Sequence, residues 1–299
     1  MKKKLSDLGE DALVARLLRG FPENNPALAV GPGDDCAVID PGRGPLRLLK
    51  TDAIVEGVHF ESDTPPTQIG WKAVARVLSD FAAMGGQPSF LLVTLAMPPE
   101  TRVTWAEKIY RGIRRCLEQH GGSLAGGETV SLPNGAPIVL SISGEGHAPR
   151  RACIRRDGGQ PGDILAVTGR LGGSIGGRHL RFHPRLAEGQ HLATHGARAM
   201  MDLSDGLAKD LPRLARASQC GFHLEKTNIP RHRSCSIQQA LTDGEDYELL
   251  VALPPARWQK LHAHWPTALA PLTAIGTLTP SGGKLSADRL SGGWDHFTR

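Results

Sequence analysis

Six times along this chain an acidic side chain stands beside glycine, serine or threonine at the edge of an apolar run. The six are Gly33-Asp34-Asp35, Thr51-Asp52, Ser79-Asp80, Gly126-Gly127-Glu128, Asp202-Leu203-Ser204-Asp205-Gly206 and Asp243-Gly244-Glu245-Asp246. Taken singly, each reads as a turn or a helix cap, because aspartate beside glycine is the commonest turn signal. Together they constrain the fold more tightly. Carboxylates that converge raise one another's pKa or need a cation between them. Hard oxygen ligands of this kind suit Mg2+, which favours sites shared between carboxylates and phosphate oxygens. Their small neighbours let backbone N–H groups approach such phosphates closely. The pattern predicts loops that bring distant acids into one anion-handling pocket.

With 299 residues the chain exceeds the usual single-domain length. We expect two domains, 1–148 and 149–299, parted where PRRACIRRDGGQ turns basic and glycine-rich. The spacing of Leu5, Leu8, Leu13, Leu17 and Leu18 predicts an amphipathic helix over 5–20. GPGDDCAVID reads as a loop feeding a strand at 36–39, and LRLLKTDAIVEG as a strand to Thr51 followed by an acid-bearing loop. The clearest helix is GWKAVARVLSDFAAMGG (70–86), with Trp71, Val74, Ala75, Leu78 and Ala82 on one stripe and Gly85-Gly86 as its stop. A strand over 89–98, a helix over 101–120 and a strand at PIVLSISGEG complete the first half. The second opens with a strand at DILAVTG and a helix start at GGSIGGRHL. A loop into a helix (201–218) and a turn into a strand (243–253) follow. The sum is a mixed α/β (α+β) architecture.

Several functional classes drop out. The formal charge of +5 comes from scattered residues with no basic block or interleaved aromatics, which favours a small anionic substrate over nucleic acid. The five cysteines, at 36, 116, 153, 220 and 235, contain no Cys-x-x-Cys and match neither a disulfide framework nor a zinc site. No apolar run is long enough to span a membrane, and MKKKLSDLGEDAL lacks the apolar core of a signal peptide, so a cytoplasmic protein is expected. His179/His183 and His191/His195 read as surface histidines, since no His-Glu-x-x-His occurs and Pro184 disfavours a continuing helix. Asp80 follows Arg76 by four residues, the spacing of an ordinary helical ion pair. Gly283-Lys284-Leu285-Ser286 lacks the spacing of a P-loop, and the protein-kinase motifs are missing. Any nucleotide site has another architecture.

GPGDDCAVID, KTDAIVEGVHF, LSDFAAMGG, AGGETV, RRDGGQPGDILAVTG, MDLSDGLAKDL, DGEDYELL and GGWDHF occur in this order over nearly the whole chain. Together they resemble the thiamine-monophosphate kinase family of the aminoimidazole-ribonucleotide (AIR) synthetase-like superfamily. The resemblance implies a two-domain fold whose N-terminal domain forms a β-barrel-type dimer interface, a homodimer, and the use of ATP with Mg2+ on thiamine monophosphate. It implies Asp35, Lys50, Thr51, Asp52, Asp80, Glu128, Asp202 and Asp205 as magnesium ligands, Lys50 through its carbonyl where relatives often carry Ser. Asp80, Asp202 and Asp205 would be catalytic. Gly127, Glu128, Arg156 and Ser204 would hold the nucleotide, and His59, Glu245 and Trp294 the thiamine phosphate. The chemistry agrees: arginine on phosphate, an aromatic ring on a thiazolium cation. An acceptor phosphate is already ionised at neutral pH and needs no general base. The chain departs from the pattern at Glu128 (Asp in relatives), Val77 (commonly Asn) and Asp243 (Gly), and in a shortened 172–192 segment. Two alternatives stand beside this reading: a related ATP-dependent enzyme with another substrate, and a non-catalytic nucleotide-binding paralogue.

Overall fold

Two sheets make up this computed structural model, which describes residues 4–21, 25–282 and 290–297. The first sheet comprises β1 (Leu28–Val30), β2 (Ala37–Ile39), β3 (Leu46–Val55), β4 (Gln87–Met97), β5 (Ser123–Ser131) and β6 (Val139–Ala148). Its order is β1-β2-β3-β6-β4-β5, with β4 and β5 parallel and the other pairs antiparallel. The second comprises β7 (Ile164–Thr168), β8 (Ala199–Asp202), β9 (Cys220–Leu224), β10 (Leu249–Leu253) and β11 (Leu272–Pro280). It is antiparallel throughout, in the order β8-β10-β7-β11-β9. The helices are α1 (Glu10–Leu17), α2 (Pro66–Ala83), α3 (Val103–His120), α4 (Leu186–Thr194), α5 (Leu207–Ala217), α6 (Ile237–Thr242) and α7 (Pro255–Ala263). The expected mixed α/β architecture is what the chain adopts. Among the described residues no helix is long and apolar enough to cross a membrane.

Helix α2 is the axis of the molecule, and almost every residue from Ile69 to Ala83 is buried. One apolar core collects Leu48, Ile54, Leu91 and Ile142 from the first sheet and Met200, Leu249, Val251 and Leu253 from the second around it. Strand β10 shows why its sequence is apolar without alternation. Leu249, Val251 and Leu253 face this core, while Leu250 and Ala252 face a second one with Leu207, Leu211 and Leu214 of α5. Helices α2 and α3 cross at two glycines. A Cβ on Gly70 would stand 2.1 Å from the Ile109 carbonyl oxygen, and one on Gly112 would stand 2.0 Å from that of Thr67.

The other face of the first sheet is uncovered and apolar. Leu49, Phe90, Leu92, Leu124 and Val130 are exposed, and β5 is exposed along its whole length.

Three of the elements expected from the sequence take another form. The 5–20 helix shrinks to α1, because Gly9 in the left-handed region (φ 72°) separates it from a 3-10 turn at Leu5–Asp7. Its Leu5, Leu17 and Leu18 remain exposed instead of forming a core stripe. Strand β3 does not stop at Thr51 but pairs with β6 without a break from Leu46↔Ala148 to Val55↔Val139, so Asp52 lies within a ladder. GGSIGGRHL forms two 3-10 turns, Ser174–Gly176 and Arg178–Leu180, because Gly173 and Gly177 adopt positive φ. Gly283-Lys284-Leu285-Ser286 lies outside the described residues.

Candidate active site

Three of the acidic motifs, far apart in sequence, meet. Asp35 stands in the loop before β2, Asp80 near the end of α2, and Asp202 ends β8. One carboxylate oxygen from each lies within 4.8 Å of the others, and all three side chains are buried. Burial and mutual repulsion push the carboxyls up: Asp202 to about 6, Asp34 beside them also to about 6, and Asp80 well above its ordinary value. Desolvated hard oxygens crowded together in this way are a fitting donor set for a small divalent cation.

Side-chain cations partly answer that charge. Arg156 clamps Asp35 with two bonds, from Nε at 3.1 Å and Nη2 at 2.5 Å. Lys50 donates to Asp80 at 2.7 Å, and Arg76 lies 2.8 Å from Asp52. The i, i+4 spacing of Arg76 and Asp80 thus does not become an ion pair: each takes its partner from β3. Asp202 accepts a 2.6 Å bond from the Ser79 hydroxyl and forms no ion pair among the described residues. Asp205 is held by Arg213 at 2.6 Å and Lys209 at 3.3 Å. Asp34, Lys50, Asp52, Arg76, Asp80, Arg156, Asp202, Ser204 and Asp205 line one open cleft of about 690 Å³, walled on one side by α1.

A second chamber shares Arg76, Ser204, Asp205 and Tyr247 with that cleft and adds His59, Glu245 and Trp294. Its floor is strained. Glu245 and Tyr247 are non-glycine residues at φ 53° and 51°. The strain is held by N–H bonds from Glu245 to the Ser204 carbonyl (2.7 Å) and from Tyr247 to that of Leu203 (2.9 Å). His59 accepts the Val55 N–H at Nδ1, and burial together with nearby Arg76 pushes its pKa down to about 3, so the ring is neutral. Trp294 is half-buried, its N–H bonded to the Asp205 carbonyl.

The remaining expected residues divide between the cleft and the outside of the first sheet. Thr51 and Asp52 are neighbours in a strand and face opposite ways: the Thr51 hydroxyl meets Ser143 on the outer face of the sheet at 3.0 Å. Lys50 is a paired cation with no lone pair to offer, which leaves its carbonyl as the donor. Gly127 and Glu128 lie on exposed β5, where Glu128 accepts the Thr129 N–H and a Cβ on Gly127 would meet the Val93 carbonyl at 2.1 Å. Asp243 and Asp246 accept N–H bonds from Gly173 and Gly172, a structural role for the acids flanking Glu245. Val77 is fully buried in the core.

Sequence reasoning missed Lys72, Ser79 and Tyr247. Lys72 is fully buried, and its ammonium bonds the His59 carbonyl at 2.6 Å and Glu245 at 2.8 Å. The signal was present: Lys72, Arg76 and Asp80 recur every four residues and so share one face of an otherwise apolar helix. Lys72→Met is expected to cost about 2–3 kcal/mol of stability in denaturant titration, because Glu245 loses its buried partner. A loss under about 0.5 kcal/mol would mean the pair is held by something else.

Known proteins resemble this chain in sequence and in fold. The model of the AIR synthase related protein N-terminal domain matches residues 33–148, and that of the C-terminal domain residues 142–287. Thiamine-monophosphate kinase of Synechococcus elongatus is 36% identical over 85% of this chain and 84% of its own. That of Rhodopirellula baltica is 39% identical over 80% of each. A solved complex of AaThiL with AMPPCP and TMP superposes with a TM-score of 0.85 at 28% identity, over 99% of this chain and 100% of the other. The hydrogenase maturation protein HypE bound to ATP, at 21% identity and a TM-score of 0.69 over 94% of this chain and 90% of its own, shares the fold.

Proposed function

The chain belongs to the thiamine-monophosphate kinase family of AIR synthase related proteins, and from that premise we propose that it transfers the γ-phosphoryl group of ATP to thiamine monophosphate, giving thiamine diphosphate and ADP. The observation that carries the reading is the meeting of Asp35, Asp80 and Asp202 at a cleft that Asp80 and Asp202 line and that shares residues with the His59–Glu245–Trp294 chamber.

Asp35, Asp80 and Asp202 would hold Mg2+ at the centre of the site, with Asp52, Asp205, Lys50 and Thr51 as further candidate ligands. A cation held there would supply screening between two phosphate groups that otherwise repel one another. Arg156 and Ser204 hold nucleotide phosphates; Gly127 and Glu128, expected on the nucleotide, stand on exposed β5 outside the lining of the cleft. Glu245 and Trp294 suit the cationic thiazolium, and neutral His59 adds no opposing charge. An acceptor phosphate oxygen attacks the γ-phosphorus in line, the bond to the β–γ bridging oxygen breaks, and ADP leaves. The reaction requires no base and no phosphoenzyme. Residues 1–148 and 149–299 serve as two units around this cleft, in a cytoplasmic setting where ATP is abundant.

Incubation with ATP, Mg2+ and thiamine monophosphate is expected to give thiamine diphosphate by chromatography, and thiamine itself should yield none. ATP binding without ADP release would identify a non-catalytic protein.

We further propose a homodimer that buries the apolar outer face of the first sheet in a barrel-like interface. Leu92→Asp should convert a dimer to a monomer in light scattering. A monomeric wild type would refute it.

A further inference from the structure

Arg76 is left over by the roles assigned so far. It lies one helical turn from both Lys72 and Asp80 on the face of α2 that looks into the cleft. Its side chain is only 12% exposed. Burying a guanidinium is costly unless its donors are used. Yet among the described residues Nε, although 2.8 Å from an Asp52 oxygen, makes no hydrogen bond, and Nη1 has only a long 3.5 Å contact with the Ala53 carbonyl. Asp52 spends its other oxygen on the Ala53 N–H. The charge is thus balanced by Asp52 while the donor fork stays largely unspent. Arg76 also lines both the acid cleft and the chamber of His59, Glu245 and Trp294. Any molecule lying across both passes Arg76, which with Ser204, Asp205 and Tyr247 lines the two cavities in common.

We propose that Arg76 binds the phosphate of the acceptor, an assignment that rests on the kinase reading and deepens it. With the thiazolium against Glu245 and Trp294, the acceptor's phosphate reaches the junction of the two cavities. A planar guanidinium there takes two phosphate oxygens at once and leaves a third free to attack. Arg76 then also provides discrimination, since thiamine without its phosphate gives the fork nothing to hold.

The test compares binding of thiamine monophosphate and thiamine to the wild type, Arg76→Gln and Arg76→Lys by calorimetry, with KM for both substrates. The wild type should prefer the phosphorylated ligand. In Arg76→Gln that preference should fall about 10- to 100-fold while thiamine binding and KM for ATP stay within about 2-fold. Arg76→Lys should recover part of it. The lysine variant keeps the charge opposite Asp52 and guards against a glutamine variant that fails to fold. Equal losses for both ligands, or lost ATP affinity with the preference intact, would overturn the assignment alone. A wild type that neither binds nor converts thiamine monophosphate overturns the kinase reading, and this assignment with it.

Discussion

Asp202→Asn is expected to cost at least about 100-fold in turnover while making the cation-free protein more stable. Both effects have one cause. The Asp202 carboxylate is buried against Asp35 and Asp80, and its pKa is pushed up to about 6 by burial and by Asp35. Its charged form is therefore a burden on the fold, relieved when a cation arrives. Asparagine keeps an oxygen for the Ser79 hydroxyl and removes the charge. The expected gain is about 1–3 kcal/mol at pH 8 in urea unfolding. A residue kept for stability would behave in the opposite way, with activity retained and stability lost.

The second large effect is the response to pH and magnesium. Asp210 is pushed up to about 8 and Asp246 to about 7, chiefly by burial, alongside Asp202 and Asp34 at about 6. A carboxyl whose folded pKa lies above its unfolded value binds protons more tightly when folded. Stability therefore rises as pH falls through the folded value and is lost as pH rises. Between pH 8.5 and 6.5 the cation-free protein should gain about 2 kcal/mol, carried mainly by Asp210 and Asp246. His59 works the other way. Burial holds it at about 3, so below pH 6.5 the unfolded state gains one proton at this group and offsets part of the rise. Four raised carboxyls outweigh one histidine, so stability should go on rising as the pH falls towards about 4, where the unfolded carboxyls take up protons too. Excess Mg2+ should raise the melting temperature by several degrees at pH 8 and less at pH 6, where protons compete for the same oxygens. Asp202→Asn should lose most of that cation response. An equal magnesium shift at both pH values would separate the cation from these carboxylates.

The centre of the site was legible because its chemistry is local: an acid beside a small residue at the end of an apolar run marks Asp35, Asp80 and Asp202 wherever they fall. The same signal could not separate them from Asp243 and Asp246, which cap the 172–173 glycines. That distinction lies in which backbone N–H stands opposite, a matter of tertiary structure. A strand that ends at Thr51 puts Thr51 and Asp52 side by side at the site. Carried on to Val55, strand alternation puts them on opposite faces. Lys72 was passed over as one charge in an apolar helix, although its four-residue spacing to Arg76 and Asp80 marks an inward polar stripe. Strand β5 escaped notice because its polar, glycine-rich sequence lacks alternation, and it pairs along one edge with β4. Nothing in the local sequence of Tyr247 announces a left-handed backbone. That conformation is imposed by its bond to the Leu203 carbonyl.

Anomalous diffraction from crystals of the protein soaked in Mn2+ tests the central assignment without relying on turnover. The expected result is a manganese peak among the carboxylates of Asp35, Asp80 and Asp202, absent or displaced in Asp202→Asn. Manganese bound only at other carboxylates, with this pocket closed by its own ion pairs, would contradict the account.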